Sequence, residues 1–259
     1  MTRSLAALPS LLSACLLASP ALAQDAPAAP PPGWTGSGEL GLALARGNSR
    51  SENLNAKLAF GRETERWKHD FDVAALRSKG EVARDLDGDG IDEDSYETTA
   101  SRYALGASSA WKIDPRNSIV GALRYENDDF APYDYQATAS VGYGRQWIDG
   151  ADTALRTEIG PGFRRARNAT TGEVESGAIV RGAVDFRHRL TANTELTNEF
   201  LVEAGSDNTY LQNDLGIAVA MNEAFALKAG LQARHNTDVD AGIEKTDTLT
   251  TVNLVYKFR

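Results

Sequence analysis

The chain has 259 residues, with 36 Asp and Glu against 27 Lys and Arg, for a formal net charge of -9. That acidity argues against a nucleic-acid partner, and a mean hydropathy of -0.37 excludes a bundle of membrane helices. Past the N-terminus no run reaches the roughly 18 apolar residues of a membrane helix, which leaves one or two soluble domains or one large barrel.

The N-terminus reads "MTRSLAALPSLLSACLLASPALAQDAP". Arg3 supplies a positive n-region, Leu5 to Leu17 an apolar h-region, and "ALA" before Gln24 a small-residue cleavage site, so residues 1-23 read as an export signal. A buried N-terminal helix is disfavoured by the Pro-rich polar stretch that follows at once. "LSAC", ending at Cys15, resembles a lipoprotein signal, but the apolar run before it is short and apolar residues continue beyond it. Cys15 is the sole cysteine, so the mature chain carries no disulfide. Residues 24-33 read as a flexible or polyproline-like periplasmic leader.

From Trp34 onward the periodicity is two, broken by turn residues. The segments are roughly 34-46, 52-63, 66-78, 97-112, 118-129, 134-148, 153-165, 176-190, 194-205, 209-222, 224-236 and 246-258. Most approach the roughly 9-11 residues that a tilted strand needs to cross a bilayer. A soluble barrel would turn its apolar set inward; a membrane barrel turns it toward lipid, around a polar lumen.

Aromatic placement separates the two. Trp34 and Trp67 open the first and third segments; Trp111 and Trp147 close the fourth and sixth. In an up-and-down meander all of them lie at one rim. Each also shares the parity of its segment's apolar face, as Trp34 does with Leu40, Leu42 and Leu44. Phe186, Phe225, Tyr256 and Phe258 join that rim. Tyr125, Phe130, Tyr133, Tyr135, Phe163 and Tyr210 are assigned to the opposite one. Two aromatic belts around an apolar band are an interfacial pattern. The expected fold is therefore all-β, an antiparallel up-and-down transmembrane barrel of about 12 strands over 34-259. Trp34, Trp67, Trp111, Trp147 and Phe258 form its membrane-interface girdle, and no catalytic residue is expected.

The final segment, "TDTLTTVNLVYKFR", is expected to close the barrel against the first. Its outward aromatics ending at Phe258 resemble the C-terminal signal read by the barrel assembly machinery, with Arg259 as a departure from an aromatic final residue. The connections "TE", "IDPRN", "DGAD", "TAN" and "NE" are tight and lie at the Trp rim, while the others are mostly longer, such as Gly80 to Glu97 and Asn236 to Thr246. Short turns are usually periplasmic, which places both termini there.

Four stretches, "GNSRSENLNAKL" (47-58), "RWKHDF" (66-71), "LRYENDDFAPYDYQATASVGYGRQ" (123-146) and "EIGPGFRR" (158-165), resemble the uncharacterised YdiY-type family of salt-induced outer membrane proteins. The resemblance implies an outer-membrane barrel of a Gram-negative bacterium. It implies no activity and no catalytic residues.

"DLDGDGIDED" (85-94) carries Asp85, Asp87 and Asp89 before Gly90, with the Ile91 carbonyl and Glu93 as next ligands. This matches the first half of a calcium loop, whose alternate oxygens fold onto one ion around the Gly turn. Position twelve is Tyr96, and strands rather than helices flank the loop; the competing reading is a solvated acidic loop. No other cofactor is expected. His69 and His188 fall on the outward face near the Trp rim. His235, with Asp238 and Asp240 nearby, is the one group placed to activate water at the outer mouth.

The lumen face collects Arg156, Glu158, Arg164, Arg181, Asp185, Arg187, Glu195, Glu199, Glu203, Asp214, Lys228 and Arg234, while small residues such as Gly41, Gly106, Gly142 and Gly216 lie elsewhere on it. Arg187 is expected near Glu195, and Arg181 near Glu199 and Glu203. These ions either pair and fill the bore or line a narrow pore. The sequence thus predicts a narrow channel or a structural envelope protein, with outer-membrane lipid as its surroundings. The competing classes are an outer-leaflet hydrolase using His235 and the nearby acids, and a calcium-dependent surface-binding protein.

Overall fold

A computed structural model describes residues 33-45, 51-84, 93-239, 241 and 243-258. The export signal, Cys15, the leader up to residue 32 and Arg259 lie outside them. Twelve strands follow in order: β1 (Trp34–Ala45), β2 (Ser51–Glu63), β3 (Trp67–Arg84), β4 (Glu93–Lys112), β5 (Asn117–Asp128), β6 (Tyr133–Asp149), β7 (Thr153–Asn168), β8 (Val174–Arg189), β9 (Thr194–Gly205), β10 (Thr209–Ala220), β11 (Phe225–Asn236) and β12 (Thr246–Phe258). Each pairs antiparallel with its sequence neighbours, and β1 pairs with β12 to close the barrel. Closure runs from Gly36 opposite Phe258 to Leu40 opposite Leu254. Gly36 leaves room for the Phe258 ring, which occupies the space a Cβ would take.

The period-two pattern sorts the wall into two faces. Leu123, Ile159 and Val252 are 61%, 62% and 62% exposed on the outside, so the large apolar residues are not a core. Inward positions are small, polar or charged. This is an inside-out barrel, the inverse of a soluble one. Closure pairs the backbone polar groups around the ring, which is what lets β-structure sit in hydrocarbon.

Girdle positions follow from register. Trp67 lies directly opposite Trp111, Trp34 stacks on Phe71 with centroids 6.5 Å apart, and Phe258 packs on Phe60 and Tyr256. The Trp147 indole N–H donates to Thr157 at 2.9 Å. The turn at residues 113-116 is fixed by Asp114, which accepts from the Asn117 side chain and from the backbone N–H of Arg116. These bonds, the Asn117 side-chain one foremost, hold the Asp114 carboxyl below its usual range.

The structure corrects the sequence reading in two places. First, Gly80 to Glu97 is mostly not loop: β3 and β4 run on as a two-stranded ribbon, with Gly80 opposite Glu97 and Arg84 opposite Glu93. Its residues are charged on both faces because no bilayer flanks them. The connections opposite the Trp rim are mostly the longer ones, as expected, with residues 129-132 and 206-208 the short exceptions.

Second, Tyr133 and Tyr210 leave the outer aromatic belt. A register shift between Tyr133 and Tyr135 turns Tyr133 inward, and it is 3% exposed. Tyr210 has the parity of the inner face and is 1% exposed.

Pro161 stands inside β7, where it has no N–H to give the ladder. The β6–β7 pairing omits Val141 and Gly142 opposite Gly160 and Pro161. Gly142 and Gly160 let the two backbones close up at this gap, each lying where a Cβ would meet the other strand's main chain.

Candidate functional site

The inner faces enclose a cavity of about 1760 Å³. It is lined from the Trp rim, at Glu63, Lys112 and Lys257, up to Arg102, Arg124, Glu126 and Gln232. At that upper level the bore is crossed.

Arg234 on β11 donates to Glu126 on β5 at 2.7 Å. These strands are six positions apart in a ring of twelve, so the bond spans a diameter. Arg234 also meets Asp128 at 2.9 Å and Asp247 at 3.5 Å. Arg124 on β5 reaches Glu203 on β9 at 2.5 Å and Glu126 at 3.2 Å. Thr138 donates to Glu203 at 2.9 Å. The Tyr210 hydroxyl donates to Gln212 at 2.6 Å, and its ring lies under the Arg124 guanidinium at 4.6 Å. Beyond this layer, Arg164 donates to the Asn208 carbonyl and the Asn208 amide to Asn236.

Glu203 is 0% exposed. A carboxylate so buried costs several kcal/mol unless it is paired and hydrogen-bonded; Arg124 and Thr138 supply both. Within the layer Arg102, Arg124 and Arg234 stand against the buried Glu126, Asp128 and Glu203, with the half-exposed Asp247 at its edge.

Nearer the Trp rim the bore is looser. Lys57 on β2 faces Glu199 on β9 at 3.9 Å, five strands away around the ring. Glu39, Asp214 and Asp72 also surround this ammonium. Asp72 has room only because Gly106 opposite it lacks a side chain. Lys228 binds Glu39 at 2.8 Å, and Gln212 and Gln232 both donate to Asp214 at 2.6 Å. On the wall, Glu158 is shared by Arg156 at 2.8 Å and Arg181 at 2.9 Å.

The lumen residues read from the sequence fall as follows. Arg156, Glu158, Arg181, Asp185, Arg187, Glu199, Asp214 and Lys228 line the cavity. Glu203 and Arg234 belong to the layer that crosses it. Glu195 stays at the rim, 3.9 Å from Arg187. Arg181 pairs with Glu158 rather than with Glu199 or Glu203, which are taken by Lys57 and Arg124.

Sequence reading missed Arg102, Arg124, Glu126 and Asp128. Their alternation along β4 and β5, opposite in parity to Leu105 and Leu123, was the available signal.

Asp85, Asp87, Asp89 and Ile91 lie outside the described residues; Glu93 begins β4, and its side chain is outside them too. His69 and His188 stack on Trp67 and Phe186 on the outer face. His235 also points outward, its ring hydrogen-bonded to Thr246 at 2.8 Å. Asp238 instead turns its backbone N–H to Asn208, and Asp240 is outside the described residues.

A closed antiparallel barrel with an aromatic-rimmed apolar exterior and a charged, water-accessible interior is a transmembrane barrel of the outer-membrane type. The chain belongs to the family described as "Protein of unknown function, DUF481", whose profile matches residues 38–258.

The uncharacterised protein YdiY of Escherichia coli (strain K12) is 28% identical over 162 residues, covering 62% of this chain and 63% of that protein, which is less than two thirds of its length. Similar solved structures include the NanC porin, at TM-score 0.49, 8% identity and coverage of 87% and 99%. They also include the translocator domain of autotransporter NalP from Neisseria meningitidis, at 0.44, 11% and coverage of 87% and 87%.

Proposed function

We propose that this protein is an integral outer-membrane barrel acting as a narrow, normally closed channel for ions and small polar solutes, not as an enzyme. The carrying observation is that a cavity of about 1760 Å³, with Lys57, Glu199, Asp214 and Lys228 pointing into it, ends at a layer of ion pairs backed by the Arg164, Asn208 and Asn236 contacts. A purely structural wall gains nothing from such a hollow; a passage needs one. Charged side chains ringing a constriction are one architecture of selective pores.

In this reading the Trp rim and both termini face the periplasm, and the cavity fills from that side. The barrel assembly machinery inserts the chain, and lipid surrounds the exterior face. The His235 hydrolase loses support, because that imidazole is turned toward the exterior and engaged by Thr246. A calcium-bound outer loop at Asp85, Asp87 and Asp89 is compatible with the channel and is tested separately.

Swelling of proteoliposomes in small sugars and salts tests the proposal. Slow swelling with wild type and fast swelling with Arg234→Ala supports it. Swelling no faster than empty liposomes for both proteins returns the barrel to a structural role.

A further inference from the structure

Resting on the channel reading, we propose that the layer across the bore opens by exchange of ion-pair partners, with Arg102 and Arg181 as the incoming cations. The difficulty for any gate of this kind is electrostatic. Separating Arg234 from Glu126, and Arg124 from Glu203, strands poorly solvated charges and costs several kcal/mol per ion, as an ordinary broken buried pair does. A usable gate needs replacement partners on each wall.

The register supplies them. On the β4–β5 wall, Arg102 is the direct cross-strand partner of Asp128. Among the described residues it makes no hydrogen bond or ion pair, yet it lies within electrostatic reach of Glu126, Asp128 and Arg234. Released from Glu203, Arg124 keeps Glu126, which it already meets at 3.2 Å. That wall then holds Arg102 and Arg124 against Glu126 and Asp128.

On the β11–β12 wall, Arg234 lies directly opposite Asp247 and already touches it at 3.5 Å. On the β8–β9 wall, Glu203 lies directly opposite Arg181. Arg181 is free to turn to Glu203 because Glu158 retains Arg156 at 2.8 Å. After exchange every wall is neutral and no ion pair spans the diameter. The Arg102 side chain makes no ion pair among the described residues in the closed arrangement and has a defined partner, Asp128, in the open one.

Single-channel recording of the purified full chain in planar bilayers tests this. Wild type should open briefly, and Arg234→Ala should stay open. Arg102→Gln and Arg181→Gln should each shorten the open dwell by roughly tenfold, the scale of one lost charged hydrogen bond, with unit conductance unchanged. Arg102→Lys, which keeps the charge, should restore much of the dwell. A merely structural role would not move dwell time in this selective way.

Wild-type dwell times in both Gln variants would overturn the exchange. So would a silent wild type beside a conducting Arg234→Ala, since the layer would then be a fixed seal. If no variant conducts, the channel reading itself falls and takes the exchange with it. Should Arg102→Gln fail to fold, Arg181→Gln on the opposite wall carries the same test.

Discussion

The guanidinium of Arg234 lies 2.7 Å from the carboxylate of Glu126, although their strands stand on opposite sides of the barrel. One side chain from each wall therefore closes a diameter that the backbone alone would leave open. A twelve-stranded wall encloses more space than its own side chains fill, so such long ionic pairs are the means by which this bore is barred.

The buried pairs differ in what their loss exposes. Arg124→Ala leaves Glu203 at 0% exposure with Thr138 and with what Arg181 recovers by turning to it, and should destabilise the barrel by up to about 3-5 kcal/mol. Arg181→Ala leaves Glu158 with Arg156 and should cost only about 1-1.5 kcal/mol. Urea unfolding from lipid vesicles compares them. Equal losses would mean that the Arg124–Glu203 pair is more solvated than its geometry indicates.

The exterior should tolerate no charge at mid-height. Val252→Arg or Ile159→Arg should each lower the free energy of folding into bilayers by about 2-4 kcal/mol. The same change at Ile113, in a rim turn, should cost far less. A flat response across the three sites would contradict burial of the apolar band in hydrocarbon.

How legible this was depends on distance along the chain. Strand positions, faces and the Trp girdle were readable because alternation is local: Leu40, Leu42 and Leu44 announce their side without reference to any partner. The partners across the bore were not, because Arg124 and Glu203 are 79 residues apart and Arg234 and Glu126 108. Which acid meets which base depends on strand count and stagger, and neither is written in a window of ten residues. The β3–β4 ribbon does not announce itself as strand, because its alternation of apolar and polar residues disappears there. The face of Tyr133 is not legible either, because a bulge at Asp134 reverses it without a mark in composition.

Orientation is tested by labelling. Cysteines placed singly at Arg116 and at Thr170 lie in turns at opposite rims. In intact cells an impermeant maleimide should reach position 170 and should reach position 116 only after the outer membrane is permeabilised. The reverse pattern would invert the barrel and put both termini outside.

Calcium binding at the acidic loop has its own experiment. Calorimetry of the wild-type barrel should show uptake at about millimolar calcium, the range of extracellular modules. Replacing Asp85, Asp87 and Asp89 with Asn should abolish it. No heat from wild type would leave a solvated acidic loop.

The central claim, that ion pairs across the bore bar an otherwise continuous passage, is tested most directly by conductance in planar bilayers. Wild type, Arg234→Ala and the double change Arg234→Ala with Arg124→Ala are compared at fixed salt. The account predicts rare, brief openings for wild type, sustained current for Arg234→Ala and a larger unit conductance for the double variant. Silence from all of them, in preparations shown to be folded by their heat-dependent gel mobility, would contradict it.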